Sequence, residues 1–168
     1  MPQPVTTYVG LGSNLDGPAA QVTRAFDELA ALPDTRLMAR SPLYMSPPMG
    51  PQDQPDFVNA VAALETGLAP QVLLQMLLAI EVRHGRHRDG SHWGPRSLDL
   101  DILLYGDLLL DTPALKLPHP GLHERAFVLY PLADIAPELS VPGLGPVHAL
   151  LAACVDARIR RLEVEARE

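Results

Sequence analysis

The chain has 168 residues, 47% of them hydrophobic, which is enough for one core and too few to require a second domain. A net charge of −7 with 5% aromatic content speaks against an RNA-binding sheet, and no apolar run approaches the ~20 residues that cross a membrane. A single cysteine, Cys154, excludes an internal disulfide, and with no charged N-region leading into an apolar stretch a cytoplasmic setting is expected.

Residues 6–11 are β-branched and aromatic enough for a strand, and Gly12 to Pro18 read as a turn into a helix. Over 19–32, Val22, Ala25, Phe26, Leu29 and Ala30 recur at helical spacing. Strands are predicted over 36–45 and 57–65, with an irregular loop from Pro47 to Pro55 between them. Pro70 opens a helix to about residue 84, with Val72, Leu73, Met76, Leu77 and Ile80 inward. A cationic, glycine-broken stretch then leads to a strand over 98–105. A hairpin arm near 107–110, short helices over 124–130 and 148–155, and a strand-like alternation over 159–165 complete the chain. Cys154, in an apolar run, reads as a small core residue. The order β-α-β-β-α-β predicts an α+β, ferredoxin-like sandwich with an antiparallel sheet and added C-terminal elements, in one domain over 1–168.

Eighteen prolines stiffen the connections, so loops are the expected carriers of chemistry. Asp99 and Asp101 stand two apart in a strand and leave from the same face. Two adjacent anions need a cation between them, and Mg²⁺, which shares oxygen ligands with substrate phosphates, is the economical choice. The plainer alternative is a half-exposed strand whose polar face carries aspartates, although Asp is depleted in strands. Upstream lie Arg83, Arg86, Arg88 and Arg96, four of the thirteen basic residues, with His84, His87 and His92. Arginine matches phosphate oxygens with a planar fork of donors, so Arg88 and Arg96 read as phosphate ligands. Arg83 and His84 read instead as complements to the negative end of the preceding helix. Gly85, Gly90 and Gly94 suit a loop that closes over a ligand, as they suit an ordinary surface turn.

Other phosphate motifs fail. Gly10-Leu11-Gly12-Ser13-Asn14-Leu15 has leucine where a dinucleotide fingerprint needs its third glycine, and the single lysine, Lys116, belongs to no P-loop. The Gly-Ser-Asn turn is either a strand exit beside the ligand or an ordinary turn. The segment from Pro47 to Asn59 combines prolines, an aromatic and amides, as would the wall of a pocket for a flat, hydrogen-bonding heterocycle. His119 and His123 have zinc spacing but no paired cysteine and no His-Glu-x-x-His, so hard-metal phosphate chemistry fits better.

Together, Gly12-Ser13-Asn14, the Pro47-to-Asn59 segment, Trp93-Gly94-Pro95-Arg96 with Asp99-Leu100-Asp101, and Leu117-Pro118-His119 through Arg125-Ala126-Phe127 resemble the 6-hydroxymethyl-7,8-dihydropterin pyrophosphokinases of folate biosynthesis. The resemblance runs from about Tyr8 to Pro137. It implies a pyrophosphokinase domain that transfers the pyrophosphoryl group of ATP to the pterin hydroxymethyl oxygen and releases AMP, with two Mg²⁺ ions. It further implies a monomer whose partners are ATP and the pterin, with no nucleic acid and no membrane. By the same resemblance Asp99 and Asp101 hold the metals, and Arg86 and Arg96 join them in catalysis. Glu81, Arg88, Arg96, Ile102, His119 and Arg125 are expected on the nucleotide. Ser46, Pro47, Met49, Phe57, Asn59, Trp93 and Phe127 are expected around the pterin, with the ring between Phe127 and a closing Trp93.

The chain departs from some relatives at Phe57, Leu78, His92 and Pro120, where tyrosine, glutamine, arginine and a polar or aromatic residue occur. The losses remove hydrogen bonds and a fixed charge; if His92 touches phosphate, its help fades as pH rises through neutrality. Two other classes stay open from the residues alone. One is a binding module on the same fold. The other is a metal-dependent phosphohydrolase using Asp99 and Asp101.

Overall fold

The computed structural model describes residues 3–15, 17–47, 55–85, 97–156 and 158–162. In chain order these form β1 (Val5–Ser13), α1 (Pro18–Ala30), β2 (Thr35–Arg40), β3 (Tyr44–Ser46), β4 (Phe57–Thr66), α2 (Pro70–Arg83) and β5 (Asp99–Tyr105). A small hairpin, β6 (Leu110–Asp111) and β7 (Lys116–Leu117), and a 3₁₀ turn at Leu122–Glu124 follow. Then come α3 (Ala126–Ile135), a second hairpin of β8 (Ser140–Val141) and β9 (Gly145–Pro146), α4 (Val147–Ala152) and β10 (Arg160–Arg161).

Strand β4 sits in the middle of an antiparallel sheet ordered β10-β3-β4-β1-β5. One edge of β4 pairs with β1 along nearly its whole length; the other is shared, β2 covering Ala62 to Thr66 and β3 covering Phe57 to Asn59. With β2 and β3 counted as one interrupted strand, this is the ferredoxin-like arrangement. Helices α1 and α2 pack on one face through Val22, Phe26, Leu29, Leu73, Leu77 and Ile80, against Val9, Leu11, Val58, Leu64, Leu100 and Ile102. Helix α3 covers the opposite face with Val128, Leu129 and Leu132 over Val61, Leu103 and Leu104. Both faces being covered, β4 is buried at almost every position and loses the clean alternation of a half-exposed strand.

Several expectations change. Strand β1 continues through Ser13, so Gly12 and Ser13 belong to the sheet and not to a turn. The strand expected over 36–45 is two strands, because Pro42 has no N–H to donate and Ser41 fills the gap: Ser41 N donates to Val61 O (2.9 Å) and Val61 N donates to Ser41 Oγ (2.9 Å). Val72 is on the exposed side of α2, not inward. The hairpin arm begins three residues later than expected. The short helix expected over 124–130 is α3, which starts at Ala126 and runs through Pro131 to Ile135. Burial of Leu129, Pro131 and Leu132 offsets the ~3 kcal/mol that a helix-interior proline costs. Of the alternation over 159–165, Arg160–Arg161 pairs with β3, and 163–165 lie outside the described residues. His84 caps α2 but turns its side chain inward, to Gln21 and Glu28 of α1, while Arg83 Nε approaches Glu28 at 3.7 Å.

Candidate active site

Strand β5 lies beside β1 with Asp99 opposite Gly12 and Asp101 opposite Gly10. Leu100 and Ile102 point into the core under α1 and α2, so both aspartates leave from the α3 face, as the two-residue period requires. Asp99 is half-buried and Asp101 exposed. Glu81, 2% exposed, reaches from α2 to accept a hydrogen bond from Leu100 N at 2.7 Å. It clamps the backbone between the two aspartates. Ile102 is 3% exposed and buries its side chain in the core, leaving only its main chain to meet a ligand. Between Tyr8 and Val9 the β1–β5 register shifts, with the Thr7 hydroxyl donating to Leu104 O, which keeps Leu103 and Leu104 both on the α3 side.

The segment after β7 brings cations to the same face. The Leu117–Pro118 peptide is cis, and His119 N donates to Leu103 O at 2.9 Å. Gly121 N donates to His119 Nδ1 at 3.0 Å, so a neutral His119 carries its proton on Nε2, which lies 3.9 Å from Asp101 Oδ1. Burial pushes the His119 pKa below its ordinary 6.5; Asp101 opposes this and Arg125 adds to it. The Arg125 guanidinium lies 5.9 Å from the centre of the Phe127 ring. His123 Nε2 lies 3.8 Å from Glu124.

Along the sheet, Phe57 faces Ser46 and Asn59 faces Tyr44 and Gly12. Ser46 Oγ donates to Asn59 Oδ1 at 3.3 Å, and Asn59 Nδ2 donates to Leu11 O at 3.4 Å. Pro47, half-buried, ends the wall. Phe57 is half-buried and belongs to neither core cluster, unlike Phe127, which packs partly on the α3 cluster. Asn14 Nδ2 donates to Pro55 O at 3.0 Å, tying the end of β1 to the entry of β4. Met49, Arg86, Arg88, Trp93 and Arg96 lie outside the described residues, as does His92. The structure therefore gathers Asp99, Asp101, His119, Arg125, Ser46, Asn59 and Phe127 on one face, with Glu81 and Ile102 behind them.

Sequence reasoning missed one group beside this face. Tyr44 stacks on Tyr130 (5.8 Å between ring centres), its hydroxyl donates to Asp134, and Arg161 lies 3.4 Å from Asp134 and 5.8 Å from the Tyr44 ring. These residues are far apart in the chain, and no local pattern joins them.

The donor set fits a hard cation. Among the described residues no group of three or more His, Cys, Asp or Glu side chains could enclose a metal. Two carboxylates on an open strand leave coordination positions to water and substrate oxygens, as magnesium prefers and structural zinc does not.

Among solved structures, the chain is similar to Plasmodium falciparum HPPK-DHPS (TM-score 0.75, 14% identity, 96% of this chain and 45% of that one). It is equally similar to an HPPK-DHPS in complex with substrates (TM-score 0.75, 11% identity, 97% and 47%). At those identities the likeness establishes the fold alone, and the chain spans about half the length of either. Among relatives called 2-amino-4-hydroxy-6-hydroxymethyldihydropteridine pyrophosphokinase, that of Pseudomonas aeruginosa is 59% identical over 155 residues, covering 92% of this chain and 95% of its own. That of Haemophilus influenzae is 44% identical over 158 residues, covering 94% and 98%. Residues 8–137 match the family described as 7,8-dihydro-6-hydroxymethylpterin-pyrophosphokinase (HPPK), and with two carboxylates, a buried amide and an aromatic ring on one face of its sheet the chain belongs to that family.

Proposed function

We infer that the protein is a diphosphotransferase of folate synthesis, moving pyrophosphate from ATP to 6-hydroxymethyl-7,8-dihydropterin and leaving AMP. The observation that carries this is the shared face: Asp99 and Asp101 beside His119 and Arg125 at one end, and Ser46, Asn59 and Phe127 at the other. That layout suits a phosphate chain and a flat heterocycle meeting over β1.

Asn59, held by Ser46 and Leu11, reads the edge of the pterin, and Phe127 stacks on its ring with Phe57 and Pro47 as walls. Met49 and Trp93 complete that pocket. His119 donates from Nε2, and Arg125 holds the nucleotide side; cations there offset charge on the oxygen of departing AMP. Arg86, Arg88 and Arg96 supply the remaining positive charge from the segment after α2. Glu81 serves the nucleotide site by fixing the backbone between the aspartates, and Ile102 by its main chain. Two Mg²⁺ ions held by Asp99 and Asp101 with ATP supply Lewis-acid charge neutralisation. The chain acts as one domain over 1–168, as a monomer in the cytoplasm, without nucleic acid or membrane partners; no helix among the described residues is long and apolar enough to cross a membrane.

The test is AMP release from ATP and Mg²⁺, with and without the pterin, in wild type and Asp101→Ala. Pterin-dependent AMP with a pyrophosphorylated pterin co-product, reduced at least a hundredfold in the variant, is the expected result. AMP or ADP formed equally without pterin would make the protein a phosphohydrolase, and pterin or nucleotide binding without turnover a binding module.

A further inference from the structure

Strand β1 presents two glycines to the site, and they are not equivalent. A methyl group placed on Gly10 would meet Leu103 Cδ2 at 3.4 Å, an ordinary contact. One placed on Gly12 would lie 2.6 Å from Asn59 Nδ2, closer than non-bonded carbon and nitrogen approach. Gly12 stands directly opposite Asn59 in the β1–β4 ladder, so the missing side chain is the space in which the Asn59 amide lies. Glycine weakens a strand interior, and its presence there marks a close approach that an alanine would block. Here the group that approaches is a side-chain amide.

That amide has a defined orientation. The Leu11 carbonyl can only accept, so the end of the amide beside it is the NH₂ group; the Ser46 hydroxyl donates to the other end. Each end retains capacity for one more hydrogen bond, an N–H and an oxygen lone pair side by side. Their complement is a ring edge with an adjacent carbonyl and N–H, a lactam. We propose that Gly12 is a positioning residue that, by lacking a Cβ, holds the Asn59 amide in the orientation that selects a heterocycle with a lactam edge. This rests on the pterin-binding function proposed above.

The test compares wild type, Gly12→Ala, Gly10→Ala, Asn59→Ala and the Gly12→Ala/Asn59→Ala double variant, measuring Kd for 6-hydroxymethyl-7,8-dihydropterin, Kd for ATP with Mg²⁺, and the thermal midpoint. Gly12→Ala is expected to weaken pterin binding about tenfold, the size of one hydrogen bond, with ATP affinity unchanged. Gly10→Ala, at a position that faces Asp101 and not Asn59, should not show the selective loss of pterin affinity; a selective loss equal to that of Gly12→Ala would overturn the proposal. In the Asn59→Ala background the added methyl has nothing to displace, so the double variant should bind pterin as Asn59→Ala does. A pterin methylated on the lactam nitrogen should bind wild type and Gly12→Ala alike. If Gly12→Ala does not fold, the double variant decides: equality with Asn59→Ala supports the proposal, and further loss overturns it. Gly12→Ala that binds pterin as wild type does, or that loses ATP and pterin equally, also overturns it. Failure of the wild type to bind the pterin at all is a different result, and removes the proposed function itself.

Discussion

Asp99 and Asp101 share a direction because strand side chains alternate, and Leu100 between them is pulled the other way by the α1–α2 core. Residue-scale chemistry elsewhere depends on neighbours the local sequence does not contain. Cys154 packs against the α3 cluster and is a free thiol. Burial raises its pKa above the ordinary 9.0, and the charge of Asp156 raises it further. The thiolate is the nucleophile, so less of it exists at neutral pH than in an unstructured chain. Iodoacetamide at pH 7 should therefore alkylate native Cys154 more slowly than the same residue in urea, with the native rate still climbing above pH 9. Equal native and unfolded rates would remove this account. Glu81 is likewise read differently by tertiary structure, since its buried carboxylate is occupied by the backbone of β5.

At the scale of elements, the break between β2 and β3 sets where the pocket wall begins. Pro42 interrupts the ladder, and Ser41 restores it by offering its hydroxyl to Val61 N while donating to Pro42 O at 2.8 Å. Ser41→Ala leaves a buried N–H without a partner and should cost roughly 1–3 kcal/mol, read as a lower urea midpoint with an unchanged slope. A variant as stable as wild type would mean that the strand re-pairs without the hydroxyl. Helix α3 illustrates the opposite balance. Pro131 removes a hydrogen bond from its interior, yet the helix continues because its apolar face has a sheet to cover. The small hairpin of β8 and β9 surrounds Pro142-Gly143, a turn signal legible in the sequence.

At the scale of the whole molecule, the sheet divides two cores with different duties. The α1–α2 core supports β5 from behind, while the α3 core fixes the helix that carries Phe127 against the face with Asn59. Leu73→Ala and Leu129→Ala each empty a fully buried position and should each cost ~2–5 kcal/mol in urea unfolding. Only Leu129→Ala should also weaken pterin binding; equal pterin affinity in both variants would separate α3 from the pocket. The order of strands and helices, the shared face of the aspartates and the family resemblance were all legible in the sequence, because strand period, helix period and motif order are local properties. Which apolar positions face which core was not, since a strand covered on both sides loses its alternation. Nor did the sequence determine that Glu81 clamps β5, that Ser41 bridges a broken strand, or that Gly12 makes room for Asn59. Those are contacts between residues 19 to 47 positions apart, and they exist only once the sheet has brought the strands and helices together.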